Sequence, residues 1–423
     1  RMDPWSPGVA LAPNRSVAAR VGPVDGALKK TVEHAERGAR LDAGDIERLF
    51  AARDSGFAYV ARAADELRRS VSGATVRYVV NRNINYTNIC YFRCQFCAFS
   101  KGKTADTLRG TPYDLALDEV VRRSEEAWAR GATEVCMQGG IHPDYTGSTY
   151  LAICRAVKQA IPDMHVHAFS PLEVQQGAAT LRLSVPEFLQ ALKEAGLGTL
   201  PGTAAEILDD RVRRIICPDK LTTAEWLGVV EAAHRIGLRT TATIMFGHAD
   251  DYPSWARHLL AIRDLQEKTG GFTEFVPLPF VPMEAPIFLK GRARRGPTLR
   301  EAVLMHAVAR LVLHPLVPHI QASWVKLGVD GVKLCLNAGA DDLGGTLMNE
   351  SISRAAGTQH GQELPPAVME EIIRSLGRTP MQRDTLYRPA PSERMATARC
   401  ALPLSPVVQT LPHDRRALSR LAV

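Results

Sequence analysis

The sequence predicts an α/β chain arranged as a TIM-type (β/α)8 barrel, and three observations lead there. After Ser72, short apolar runs alternate with longer amphipathic ones, the pattern of successive βα units. No GxGxxG fingerprint and no Walker loop accompanies the alternation, so an open doubly wound sheet, the main competitor, lacks its usual mark. Finally, three cysteines, Cys90, Cys94 and Cys97, follow the first apolar run directly, and a barrel gathers its chemistry on the loops at the carboxyl ends of its strands.

Taken in order, residues 1–24 are rich in Pro, Gly and Arg without periodicity and read as a flexible lead. Residues 25–75 turn helical, with Asp45-Ile46-Glu47-Arg48-Leu49-Phe50 and an Ala- and Arg-rich run after Phe57, and form an extension expected to pack on the outside or base of the barrel. The barrel itself occupies 76–388, and 389–423 are an irregular tail. Strands are expected near Asn83–Asn88, Thr133–Gln138, Met164–Phe169, Leu197–Pro201, Arg239–Phe246, Phe272–Val276, His319–Ser323 and Asp342–Leu347. Helices are expected at Leu115–Arg130, Tyr150–Ala160, Val185–Ala195, Ala224–Ile236, Trp255–Lys268 and Leu299–Leu313, with a short extra one at Asp209–Arg214.

A chain of 423 residues with 45% hydrophobic content can bury a sizeable core. Eight cysteines without paired spacings, no signal-peptide core and no apolar run of transmembrane length point to a reducing cytoplasm and away from a membrane. The net charge of +7 is modest; its densest patches, Arg292–Arg295 and Arg415–Arg420, read as solvated surface rather than as a nucleic-acid footprint.

The CxxxCxxC spacing of Cys90, Cys94 and Cys97 suits a [4Fe-4S] cluster held at three corners, whereas simple electron-transfer clusters usually have four cysteines. The uncommitted iron is then free to bind a small molecule, S-adenosylmethionine in the enzymes with this signature. A zinc site would want a second cysteine pair or histidines at a set distance, and none follows. Gly139 and Gly140, after the second strand, allow close backbone approach to that cofactor or mark a plain tight turn. On the third strand, alternation turns His165 and His167 to one face, with His167 nearer the mouth as a substrate contact or proton carrier, or as a hydrogen-bonded structural residue. Glu206, after the fourth strand, could hold a ribose hydroxyl or an ammonium, and equally could cap a helix. Weaker candidates are Glu173, Thr243, His248, Glu274, Ser323, Trp324, Lys326, Asn349 and Glu350. Cys136, Cys154, Cys217, Cys335 and Cys400 read as small buried hydrophobes.

Several segments resemble the CofH-type half of deazaflavin (FO) synthase, a radical SAM family: Asn81–Asn88, Cys136–Gly140, His165–Pro171, Gly271–Val281, His319–Gly328 and Asp342–Met348. The similarity runs from about Val76 to Tyr387. It implies a transferase that takes L-tyrosine and 5-amino-6-(D-ribitylamino)uracil, with a [4Fe-4S] cluster on Cys90, Cys94 and Cys97 and S-adenosylmethionine against Gly139, Gly140 and Glu206. A 5'-deoxyadenosyl radical would take hydrogen from tyrosine, the Cα–Cβ bond would break, and the 4-hydroxybenzyl fragment would join carbon 5 of the uracil. An electron donor is implied, as is a CofG-type enzyme or fused half to close the ring of the coenzyme F-420 chromophore, because only one CxxxCxxC is present. Two other readings are a futalosine-pathway radical SAM enzyme, which shares the early segments, and an iron–sulfur electron carrier.

Overall fold

The structure, a computed structural model, describes residues 5–11, 22–101 and 111–404. The strands are β1 (Thr75–Val79), β2 (Asn81–Ile84), β3 (Glu134–Met137), β4 (His165–Ala168), β5 (Leu197–Leu200), β6 (Arg239–Phe246), β7 (Phe272–Pro279), β8 (Asp342–Gly345) and β9 (Thr379–Arg383). They form one parallel sheet in the order β2 to β7 and a second in the order β8-β1-β9.

Backbone hydrogen bonds outside the regular ladders close these sheets into a ring. Phe275 N donates to His319 O, Gln321 N to Phe275 O and Ala322 N to Asp342 O, so residues 319–322 form the seventh wall. The chain beyond β8 then meets the first wall, where Met348 N donates to Asn81 O and Asn83 N to Met348 O. Eight walls with a helix outside each crossover make the TIM-type barrel that the sequence predicts.

Four of the crossover helices begin with the same chemistry. Ser170 with Glu173, Ser184 with Glu187, Thr222 with Glu225 and Thr298 with Glu301 each make a capping box, which satisfies orphaned backbone donors from both sides. The helix Leu299–Leu313 is buried at every residue from Glu301 to Leu313. Such a helix needs an apolar neighbour all round. The barrel covers one side, and the N-terminal helices Ala43–Ala51 and Asp54–Ser72 cover another.

The structure departs from expectation at the ends of the barrel. β1 and β9 were not foreseen: β1 lies immediately after a helix, and β9 reads Thr-Pro-Met-Gln-Arg, with no run of branched or aromatic residues. β9 is held by its parallel ladder with β1 and by Arg383, whose guanidinium is buried against Asp342. The expected seventh strand shrinks to two bridges, at Ile320 and Gln321. Within the lead expected to be flexible, residues 5–11 are held: Gly8 N donates to Lys326 O, Gln359 N to Gly8 O and Ser6 Oγ to Arg295 O. Part of the tail expected to be irregular, Ser392–Arg399, is helical, with Arg394 stacked on Trp128 at 4.1 Å. Arg415–Arg420 lie outside the described residues. No helix among the described residues is long and apolar enough to cross a membrane.

One fully buried carboxylate ties these parts together. Asp341 accepts from Arg310 at 2.6 Å, Ser72 Oγ at 2.8 Å, Arg77 at 3.1 Å and Ile320 N at 2.9 Å, and lies 2.8 Å from His319 Nδ1. Replacing Asp341 with Ala strands the buried Arg310 charge, which costs about 3–5 kcal/mol. A clear fall in the urea midpoint of D341A is expected, and an unchanged midpoint would contradict this role.

Candidate active site

The cysteine loop is stitched to four partners by its backbone. Cys90 N donates to Lys101 O at 3.0 Å, Tyr91 N to Ile141 O at 3.2 Å and Gln95 N to Ile216 O at 2.7 Å, while Gln95 O accepts from Ile287 N at 2.7 Å. The three thiols therefore border one pocket at the carboxyl end of the barrel, with Gly139, Gly140, Glu206 and Lys220 on its other sides. Phe96, Phe99, Leu172, Met245, Leu278 and Phe280 make much of that pocket apolar.

All three cysteines are free thiols. Burial pushes Cys90 and Cys94 up from the usual thiol range, so a cationic partner is needed to hold them as thiolates. Three thiols bordering one pocket are the donor set that a cluster held at three corners requires.

Gly139 and Gly140 are needed for packing as well as for access. A Cβ on Gly140 would lie 2.3 Å from Ile89 O and 2.9 Å from Cys90 Cβ, and one on Gly139 would lie 2.2 Å from the Tyr86 ring. Their N–H groups are already used, Gly139 N on Glu173 Oε1 at 3.1 Å and Gly140 N on Thr87 O at 2.8 Å. No hydrogen bond among the described residues ends on either carbonyl oxygen. Both residues border the pocket, and an unused carbonyl acceptor suits an ammonium group.

Glu206 does not cap a helix. The helix that follows begins at Asp210 and is capped by Asp209, whereas Glu206 sits in an irregular turn with φ of 45°. That left-handed backbone is uncommon for a residue with a side chain. It places the carboxylate 2.8 Å from Lys220 Nζ, and Lys220 lies 5.2 Å from the centre of the Phe96 ring. Burial alone would lower the Lys220 ammonium, but Cys94 and Glu206 raise it above the ordinary lysine value. Sequence reasoning missed Lys220, which lies in a loop with no motif around it.

His167 is elsewhere. It lines a second, inner chamber with Asn81, Asn83, Glu134, Glu274, Gln321, Arg383 and Thr385. The two cavities share Gln138, Thr203, Leu278, Lys326, Ile352 and Ser353 as lining, so they adjoin. His167 Nδ1 lies 2.7 Å from Thr199 Oγ1, and His165 Nε2 meets the same hydroxyl at 2.8 Å. Burial lowers the pKa of His167. Lys326 lies at the junction with Ser353 Oγ at 3.3 Å. Burial lowers its ammonium, against the opposing pull of Glu350 and Glu206.

Several weaker candidates make framework bonds, and of these Glu173 also lines the outer pocket and Glu350 the inner chamber. Glu173 is buried, completes a capping box and accepts from Tyr86. Glu350 accepts from the Ser353 and Arg354 amides, Trp324 Nε1 donates to Gly345 O, and His248 Nε2 meets Met245 O. Thr243 and Ser323 do face the inner chamber. Asn349 has φ of 62° and a buried Nδ2 without a partner. Of the remaining cysteines, Cys154, Cys217 and Cys335 are buried as expected; Cys136 lines the inner chamber and Cys400 is exposed.

A parallel barrel with a three-cysteine loop after its first wall defines the radical SAM class. The model of the radical SAM superfamily matches residues 84–260, and that of the CofH/MqnC C-terminal region matches 269–395. The 5-amino-6-(D-ribitylamino)uracil–L-tyrosine 4-hydroxyphenyl transferase of Methanopyrus kandleri is 51% identical over 331 residues, which cover 78% of this chain and 88% of the relative. The chain belongs to this CofH-type family. FO synthases are also similar, that of Streptomyces coelicolor at 52% identity over 79% of this chain and that of Mycobacterium tuberculosis at 52% over 78%. The chain spans 38% of the length of each of these two. Among solved structures, methylornithine synthase (PylB) superposes with a TM-score of 0.65 at 19% identity, covering 83% of this chain and 97% of that one. The hydrogenase maturase HydG superposes with a TM-score of 0.66 at 15% identity, covering 89% and 81%. Both support the fold. Members of the radical SAM superfamily use a [4Fe-4S] cluster and S-adenosylmethionine.

Glu274 carries a pH signature. Burial pushes its carboxyl up to about 7, with Arg383 opposing and Asp342 adding to the rise. An unfolded glutamate titrates near ~4.3. Between these values the folded chain keeps a proton that the unfolded chain has released, so the stability due to this group falls as pH rises through the window. In thermal unfolding at constant ionic strength, E274Q is expected to lose that part of the decline. Parallel profiles in wild type and variant would contradict the assignment.

Proposed function

We propose that this chain is a radical SAM transferase that moves the 4-hydroxybenzyl group of L-tyrosine to 5-amino-6-(D-ribitylamino)uracil. The observation that carries the reading is the pair of adjoining cavities. An apolar pocket bordered by three thiols lies against a second chamber of the same barrel that carries more polar side chains. That arrangement offers room for a cofactor and two substrates, and the similarity to the Methanopyrus kandleri transferase supports these two substrates.

Cys90, Cys94 and Cys97 would hold the cluster, and the Gly139 and Gly140 carbonyls would receive the ammonium of S-adenosylmethionine. Glu206, fixed by Lys220, would take a cofactor hydroxyl. When bound, the cluster and S-adenosylmethionine supply a one-electron reduction and a primary carbon radical that abstracts hydrogen from substrate. The chain orients the reactants and excludes water: Phe96, Phe99 and Phe280 line the pocket. His167 contacts substrate from the inner chamber. An external electron donor is required. A second enzyme of CofG type, separate or fused, would close the deazaflavin ring. The barrel and its C-terminal helix, 76–388, would be the catalytic unit.

Anaerobic protein with dithionite, S-adenosylmethionine, ring-labelled tyrosine and the ribityl diaminouracil is expected to give 5'-deoxyadenosine and a labelled hydroxybenzyl adduct by mass spectrometry. Cofactor cleavage without the adduct would contradict the substrate assignment. Alanine at Cys90, Cys94 or Cys97 is expected to abolish cleavage. G140A, which presses on Ile89 O and Cys90, is expected to bind less than half the wild-type iron on reconstitution while keeping its circular dichroism; full iron loading would contradict the close packing.

A further inference from the structure

Asn83 stands on β2 beside Cys136 of β3 and faces the inner chamber. Its Oδ1 is buried without a partner, and none of the hydrogen bonds among the described residues comes from its Nδ2. Leaving a buried amide in this state costs stability unless a ligand completes it. The neighbouring Asn81 is fully used: its Nδ2 donates to Glu134 at 2.8 Å and its Oδ1 accepts from Leu347 N at 2.9 Å.

Other walls of the chamber also keep valences open. Glu274 spends Oε2 on Gln321, Arg383 and Tyr387, and its Oε1 accepts nothing among the described residues. His167 uses Nδ1 on Thr199, which leaves Nε2. Thr203 Oγ1, at the junction with the outer pocket, is a second buried orphan. An amide, a carboxylate oxygen, an imidazole nitrogen and a hydroxyl thus line one cavity, and most of them call for donors.

We infer that the inner chamber seats the ribitylated diaminopyrimidine, and that the Asn83 amide reads the imide edge of its ring. The inference rests on the proposed function and adds to it which cavity takes which substrate. An asparagine amide offers one acceptor and a pair of donors, which match the N–H and C=O of a pyrimidine imide in a two-point contact. The amino groups and ribityl hydroxyls supply the donors that His167 and Thr203 lack, and a ribityl hydroxyl can either donate to Glu274 Oε1 or accept its proton. Arg383 and Thr385, both buried, line the chamber, which adjoins the outer pocket at Gln138, Thr203 and Lys326. The pyrimidine has its own seat there and binds without S-adenosylmethionine.

Equilibrium dialysis of cluster-loaded, anaerobic protein against the ribityl diaminouracil tests this, with wild type, N83L and N83D. Asn83 holds no other side chain in place, and unfolding midpoints confirm that the variants fold. Wild type is expected to bind without S-adenosylmethionine and to discriminate at least tenfold against the N3-methyl analogue. Both variants are expected to bind the parent compound at least tenfold more weakly and to lose the discrimination, with affinity for S-adenosylmethionine unchanged. Wild-type binding that N83L and N83D leave intact, or a loss of tyrosine affinity in its place, would overturn the inference alone. No binding by wild type in any condition would overturn the proposed function and the inference with it.

Discussion

Closure of the barrel is the constraint on which the rest depends. The segment after β8 pairs back to the first wall through Met348, Asn81 and Asn83, and that pairing turns a curved sheet into an enclosure. Once the ring is closed, the loop after β2 lies over the Gly139–Gly140 turn, and inward-facing side chains of the successive walls meet in one chamber. The buried Asp341 hub supports the closure from outside by holding the Asp54–Ser72 and Leu299–Leu313 helices to the seventh and eighth walls.

Inside the enclosure, polarity is graded. The outer pocket combines thiols with aromatic and aliphatic cover, while the inner chamber sets amides, carboxylates, imidazole and hydroxyls among aliphatic side chains such as Val276, Leu278 and Val325. Apolar cover protects reactive intermediates from water, and a polar seat distinguishes substrates by their hydrogen-bond pattern. Lys326, Thr203 and Gln138 mark where the two environments meet.

Much of this was legible in the sequence because it depends on local signals. The cysteine spacing, the Gly139–Gly140 pair and the alternation along His165 to Ala168 each lie within a few consecutive residues. What escaped depends on distant contacts. Lys220 matters because Glu206 and Cys94 lie beside it in space, and β9 is a strand because β1 and Asp342 accept it, not because its residues favour one. The lead looked flexible by composition, yet residues 5–11 are fixed by backbone hydrogen bonds to Lys326 and Gln359, which composition does not record. Glu206 was ambiguous for the same reason: only the fold shows that its carboxylate is turned to Lys220 and not to a helix end.

The central claim is that three cysteines leave one corner of a cluster open to S-adenosylmethionine, and electron paramagnetic resonance of the reduced, reconstituted protein tests it most directly. The account predicts a [4Fe-4S]+ signal whose g-values shift when S-adenosylmethionine is added, with hyperfine coupling to its amino nitrogen. A spectrum indifferent to S-adenosylmethionine would mean a fully ligated cluster and would contradict the account.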